Sequence, residues 1–301
     1  MCVFNCVFIC SQKEVSWTIL PVLLVLASGI AHALWNLLAK RSDDKALFLL
    51  CIFVPTTALL LPRLFEELTR PGVPPQSYWL LLLSSIVQGF YAFFLSKSLT
   101  HGDISQVYPM MRGIGTMLLP LMSVLLLNER LTAWGWAGLT LIASGFLAMS
   151  GLAFARRRNP IAPKIIAYTL AVGLCTMGYV LVDKVNLGQF SPPALLAASN
   201  IGFMAGLVPF VPFRRIRWKK LMKEHGATLA IGSILSPGSY LLFLFAMSLS
   251  PLTYVAPLRE IGTVFGTLFG IYLLREPKEA VRIVSACMIF SGIVLIGGWG
   301  M

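Results

Sequence analysis

Apolar residues run almost unbroken through ten windows of this chain, at 17–38, 46–65, 78–99, 104–127, 132–152, 163–183, 193–212, 226–249, 252–274 and 280–300, and most charged residues fall between them. Each window is close to the roughly 20 residues a helix needs to cross a hydrocarbon core about 30 Å thick. The runs are continuous, whereas strands of a lipid-embedded barrel alternate apolar and polar positions. The pattern therefore predicts an all-α integral membrane protein of ten transmembrane helices. Composition agrees: of 301 residues, 57% are hydrophobic and 12% charged. A soluble domain could not hide that much apolar surface behind so few charges.

The windows repeat. "RGIGT" at 112–116 matches "REIGT" at 259–263, and the same register carries "LLLNER" onto "YLLREP", pairing Glu129 with Glu276. It also brings Ser144-Gly145 onto Ser291-Gly292, while "ASGIAHALWNLLAK" at 27–40 lines up with "AVGLCTMGYVLVDK" at 171–184. Matches in the same order across both halves point to duplication. The division predicts a leader over 1–16, a first five-helix repeat over 17–155, a basic linker over 156–162 and a second repeat over 163–301. Five is odd, so the second copy enters the membrane from the opposite face, giving the inverted repeat from which many carriers build alternating access.

A net charge of +12 would suggest nucleic acid in a soluble protein. Here the basic runs lie in connections, "RRRN" at 156–159 and "RRIRWKKLMK" at 214–223. They are read as topology marks and contacts to anionic membrane lipids, with no nucleic acid partner. Loops after odd-numbered windows hold both runs. The opposite side holds only Lys13, Arg63, Arg70, Arg130 and Lys184. The bias puts the odd loops in the cytoplasm and both termini outside. Cys2, Cys6 and Cys10 lie in the leader, which lacks the basic start and small-residue cleavage site of a signal peptide; Cys51, Cys175 and Cys287 read as packing residues.

Four stretches, "HALWN" at 32–36, "GDISQVYPMMRG" at 102–113, "LLLNERLTAWGWAG" at 125–138 and "PLTYVAPLREIGT" at 251–263, resemble the drug/metabolite transporter superfamily in its EamA-type branch. The likeness runs from about Trp17 onward. "REP" at 275–277 departs slightly from the "NER" of the first half. The resemblance implies a ten-helix carrier of small metabolites, often outward, and more often with cytoplasmic termini, against the charge count. The expected location is the cell (inner) membrane, crossed many times.

Three charges stand deep in the predicted spans: Arg112, Arg259 and Glu260. Arg112 is about 12 Å into its helix at 1.5 Å per residue, near the midplane. Each such charge costs at least about 2.5–3.5 kcal/mol on insertion scales, so it should face the protein interior or water and find a partner. One reading is an internal ion-pair network. The other counts two cations against one anion and leaves a positive charge for an anionic or zwitterionic solute. Pro109 and Pro257 are expected helix breaks that line a cavity, since each removes a backbone bond that lipid cannot replace. Tyr108, Tyr254, His32 and Asn36 complete the candidate substrate site, with Trp35 read as an interface anchor. His32 could relay protons or bond a neighbouring helix. Glu260 is the candidate coupling residue, with protons as the coupling ion; a standing Glu260–arginine bridge is the competing role. Gly113, Gly115, Gly262, Gly266 and Gly270 are read as close-packing positions. Glu129 and Glu276 are expected to cap loops or pair with Arg130 and Arg275.

No phosphate-cradling "GxxxxGK[ST]" occurs, no cofactor is implied, and the three histidines form no metal-ligating pair. A secondary carrier driven by ion or solute gradients leads. A flippase for a lipid-linked substrate is the nearest alternative. An intramembrane enzyme, from another class, would need a clustered nucleophile, acid and base that the spans do not show.

Overall fold

Inside lipid every backbone polar group must be bonded within its own segment, and this chain meets that demand with helices. The computed structural model describes residues 19–40, 45–101, 104–150, 162–211, 218–273 and 280–300. The first half holds α1 (Ile19–Lys40), α2 (Lys45–Leu68), α3 (Pro75–His101), α4 (Ile104–Leu127) and α5 (Ala133–Ser150). The second holds α6 (Pro163–Asn186), α7 (Pro192–Leu207) with a 3-10 turn at Val208–Phe210, α8 (Trp218–Leu249), α9 (Leu252–Leu258), α10 (Ile261–Leu273) and α11 (Ala280–Trp299). Among the described residues there is no strand, and nine helices are long and apolar enough to span a membrane. Large apolar side chains such as Leu59, Trp79 and Ile234 lie exposed on the outside, where lipid rather than water is the solvent. The leader, Asp103, Glu276 and the "RRRN" run lie outside the described residues.

The window expected as one helix over 252–274 is two. At Arg259 and Glu260 the backbone leaves the α ladder for tighter bonds: Glu260 N–H donates to Pro257 O at 3.0 Å, Gly262 N–H to Arg259 O at 3.1 Å and Thr263 N–H to Glu260 O at 2.8 Å. Pro257 contributes by having no N–H to give its preceding turn. The interruption therefore falls on the two charged residues, just past the proline. Pro109 differs: α4 continues through it to Leu127, so one missing bond does not break that helix.

Packing is reciprocal between the halves. α1 lies against α8, α9 and α10, as α6 lies against α3 and α4; α5 pairs with α11, and α2 with α7. Small residues allow the closest crossings. A Cβ on Gly262 would stand 2.5 Å from the Gly29 carbonyl oxygen, so α1 touches the start of α10 backbone to backbone. One turn on, Gly266 has nothing within 4 Å of the same position. Gly262→Ala is thus expected to force α1 off the broken helix and lower the melting temperature in detergent by many degrees. Gly266→Ala should hold or raise it, since alanine favours helix by up to about 1 kcal/mol over glycine. Equal melting curves for the two variants would contradict this packing.

One face of the bundle gathers the ends of α2, α4, α6, α8 and α11, and polar bonds stitch them together, most of them across the halves. Glu129 accepts the N–H groups of Leu252 and Thr253 at 2.8 and 2.7 Å, capping α9. Glu67, 2% exposed, accepts Ser191 N–H and Oγ–H at the start of α7. Lys184 donates to the carbonyls of Met247 and Ser250 at the end of α8. Arg70 donates to Gln189 O, and Thr132 to Trp299 O.

Candidate functional site

A cavity at the centre is lined by residues of α1, α3, α4, α6, α8 and α9, among them His32, Tyr91, Tyr108, Arg112, Tyr179, Phe243, Arg259 and Glu260. The start of α4 and the later turns of α1 and α3 place their polar residues on its wall. The α9–α10 interruption carries Arg259 and Glu260 to the same place from the other half.

The charges are not equivalent. Arg112 donates through Nε to Glu260 Oε2 at 3.2 Å and through Nη2 to Oε1 at 2.6 Å, a two-pronged pair between α4 and the helix break. Thr263 Oγ–H adds a bond to Oε2 at 3.2 Å. The planar guanidinium fork matches a carboxylate in this way and fixes its orientation. Arg259 has no such partner. Its Nη2 donates to Ser239 Oγ at 3.3 Å, its guanidinium lies 4.4 Å from the Phe243 ring centre and 5.6 Å from that of Tyr240, and its buried Nε has no hydrogen-bond partner. Aromatic faces attract a cation but leave its hydrogen-bonding edge free. Among the described residues Arg259 thus stands as a half-buried cation without an acidic partner.

His32 is bonded at both nitrogens. Nδ1 accepts Trp35 Nε1–H at 3.2 Å, so the ring proton belongs on Nε2, which lies 3.5 Å from Tyr108 Oη. Asn36 Nδ2 donates to the same Tyr108 oxygen at 3.4 Å. His32, Trp35, Asn36 and Tyr108 form one chain between α1 and α4, and Trp35 is half-buried in it rather than placed as an outward anchor. Tyr254 is elsewhere: its hydroxyl donates to Gly297 O on α11, and it is not among the cavity lining.

Asp183, near the end of α6, is not among the residues the sequence singles out. It is fully buried on α6, one turn beyond the lining residues Tyr179 and Val180. Ser84 Oγ–H donates to it at 2.5 Å, Tyr240 Oη–H at 2.6 Å and Ser199 Oγ–H at 3.4 Å. The usable signal was hydroxyls on three predicted spans, but their convergence needs the fold. Tyr91 and Tyr179, stacked edge-on 5.6 Å apart, were missed for the same reason.

Fold and site together define a polytopic helical membrane protein with a charged cavity among its helices. The chain belongs to the EamA-like transporter family, whose model matches residues 19–151 and 163–298. One crystal structure of a protein superposes with a TM-score of 0.69 at 15% identity, over 91% of this chain and 95% of that one, a likeness that shows the fold alone. No curated protein sequence matches.

Proposed function

We propose that this chain is a secondary carrier that moves a small anionic or zwitterionic metabolite across the cell membrane, outward, by alternating access. The observation that carries it is the half-buried Arg259 on the cavity wall, its buried Nε unbonded and without an acidic partner, beside an Arg112–Glu260 pair that is already neutral. A carboxylate or phosphate of the solute would complete its fork. The interrupted helix at the cavity fits this use, because irregular backbone inside a membrane is tolerated where it lines a site. The reciprocal packing of α1 and α6 supports the inverted five-helix repeat, with α9 and α10 together filling the place of one span. Comparing exported metabolites between a deletion strain and an overexpressing strain tests the reading and finds the solute. No difference in any small anion would count against it. Flux into proteoliposomes, with the solute recovered unaltered, separates the carrier from an enzyme.

His32 and Tyr108 line the proposed site, Asn36 supports it through its bond to Tyr108, and Tyr254, turned to Gly297, has no part in it. Glu260 holds both prongs of Arg112, which favours the standing bridge over the coupling role. Glu260→Gln decides: accumulation driven by a pH gradient survives under the bridge and disappears under coupling, while exchange at equal pH survives in both.

Orientation follows from the charge bias, with odd loops cytoplasmic and both termini outside. A reporter active only in the cytoplasm, fused after Met301, is expected to be silent. Activity there would reverse the assignment.

A further inference from the structure

We infer that Asp183 is a proton-binding site inside the membrane, linked through Tyr240 to the solute-facing Arg259. The inference deepens the carrier reading and rests on it for the coupling step.

Two buried carboxylates adjoin the centre, and their neighbours differ in kind. Glu260 is held by a guanidinium, which can only donate, so a proton there would turn a bonded oxygen into a competing donor. Around Asp183 the partners are the hydroxyls of Ser84, Ser199 and Tyr240. A hydroxyl donates to an ionised carboxylate and can turn to accept from a protonated one. The cage therefore satisfies both forms without moving a helix. Among the described residues no cation pairs with Asp183. A fully buried charge without a partner is costly in a membrane interior, and a proton removes it. On α3, one turn from Ser84, the buried Gln88 has an Oε1 with no partner, so this region keeps unused acceptor capacity.

The other groups facing α6 are accounted for. Tyr240 comes from α8, with Arg259 of the α9–α10 interruption behind its ring at 5.6 Å. Tyr91 of α3 reaches α6 through Tyr179. Arg112 of α4 is held by Glu260, and Lys184 on α6 itself is spent on the carbonyls of Met247 and Ser250. Arg259 is thus the unpaired charge nearest the cage through a direct chain of contacts. Its positive field favours ionised Asp183. An anionic solute on Arg259 masks that field and favours uptake of a proton, and by reciprocity a proton on Asp183 favours the solute. Solute and proton then bind together.

Infrared difference spectra of the reconstituted full chain, titrated from about pH 4 to pH 10, read the carbonyl stretch of a buried protonated carboxyl without any solute. A titrating band is expected in the wild type and in Glu260→Gln, and none from this site in Asp183→Asn. Tyr240→Phe removes a donor to the ionised form, and Arg259→Ala removes the charge that a solute would mask. Each should carry the band to higher pH, by about tenfold in proton affinity. These two variants keep the test open if Asp183→Asn fails to insert. A wild type with no titrating band, a band that persists in Asp183→Asn, or one unmoved in both Tyr240→Phe and Arg259→Ala overturns the inference. Because no solute enters the measurement, such a failure leaves the carrier reading standing, and absence of flux leaves the proton site standing.

Discussion

Arg259→Ala is expected to abolish transport while leaving a protein at least as stable as the wild type. The half-buried guanidinium lies against the Phe243 and Tyr240 rings with one hydrogen bond, at 3.3 Å, and its Nε unpaired. Burying a charge on such terms costs free energy that aromatic contact only partly offsets, about 0.5–2 kcal/mol per favourable ring. Removing the charge relieves that cost and opens a small void against Phe243. Transport should fall by about a hundredfold or more, the scale expected when one partner of a buried charge pair is lost. Arg259→Lys should fail nearly as badly, because a point ammonium cannot reproduce the fork. The check is the exported-metabolite profile of each variant beside its melting curve in detergent. A destabilised Arg259→Ala protein, or one that exports normally, contradicts a solute role for this side chain.

Arg112→Ala should behave in the opposite way, losing stability first. It leaves Glu260, 4% exposed, with Thr263 as its remaining side-chain donor. Taking one partner from a buried pair typically costs about 3–5 kcal/mol, enough to consume much of a membrane protein's margin. The double variant Arg112→Ala/Glu260→Ala removes both charges and is expected to recover most of that loss. Melting temperatures of the two single variants and the double one close the cycle. If the double variant is no more stable than Arg112→Ala, the pair is not the lock between α4 and the helix break.

Much of this was legible beforehand because lipid narrows the choices. Continuous apolar windows announce helices, and a charge inside one announces a buried partner, which is how Arg112, Arg259 and Glu260 were found. Pairing was not legible. Nothing in "RGIGT" and "REIGT" says that the glutamate faces the first arginine rather than its own neighbour, since that depends on where the ladder breaks. The prolines misled for a related reason. Each removes one donor, but whether a helix stops depends on the bonds available around it, and α4 continues where the 252–274 window does not. Tyr254 was grouped with the site because it lies near the charged pair in sequence. Its hydroxyl instead bonds Gly297 O on α11. Asp183 was missed because an acid near a helix end usually meets water, whereas hydroxyls from three other helices close over this one.

The stitched face bears on how readily the molecule could change shape. Glu129, Glu67, Lys184 and Arg70 close it with bonds to helix-terminal amides and carbonyls rather than with interlocked apolar side chains. Water can replace such bonds one by one, so each contributes only about 0.5–1.5 kcal/mol net, or somewhat more where a charge takes part. Under alternating access, a closure of this kind behaves like a zipper of weak teeth. The populations of the closed and opened forms then lie within reach of the differential affinity of a single bound solute.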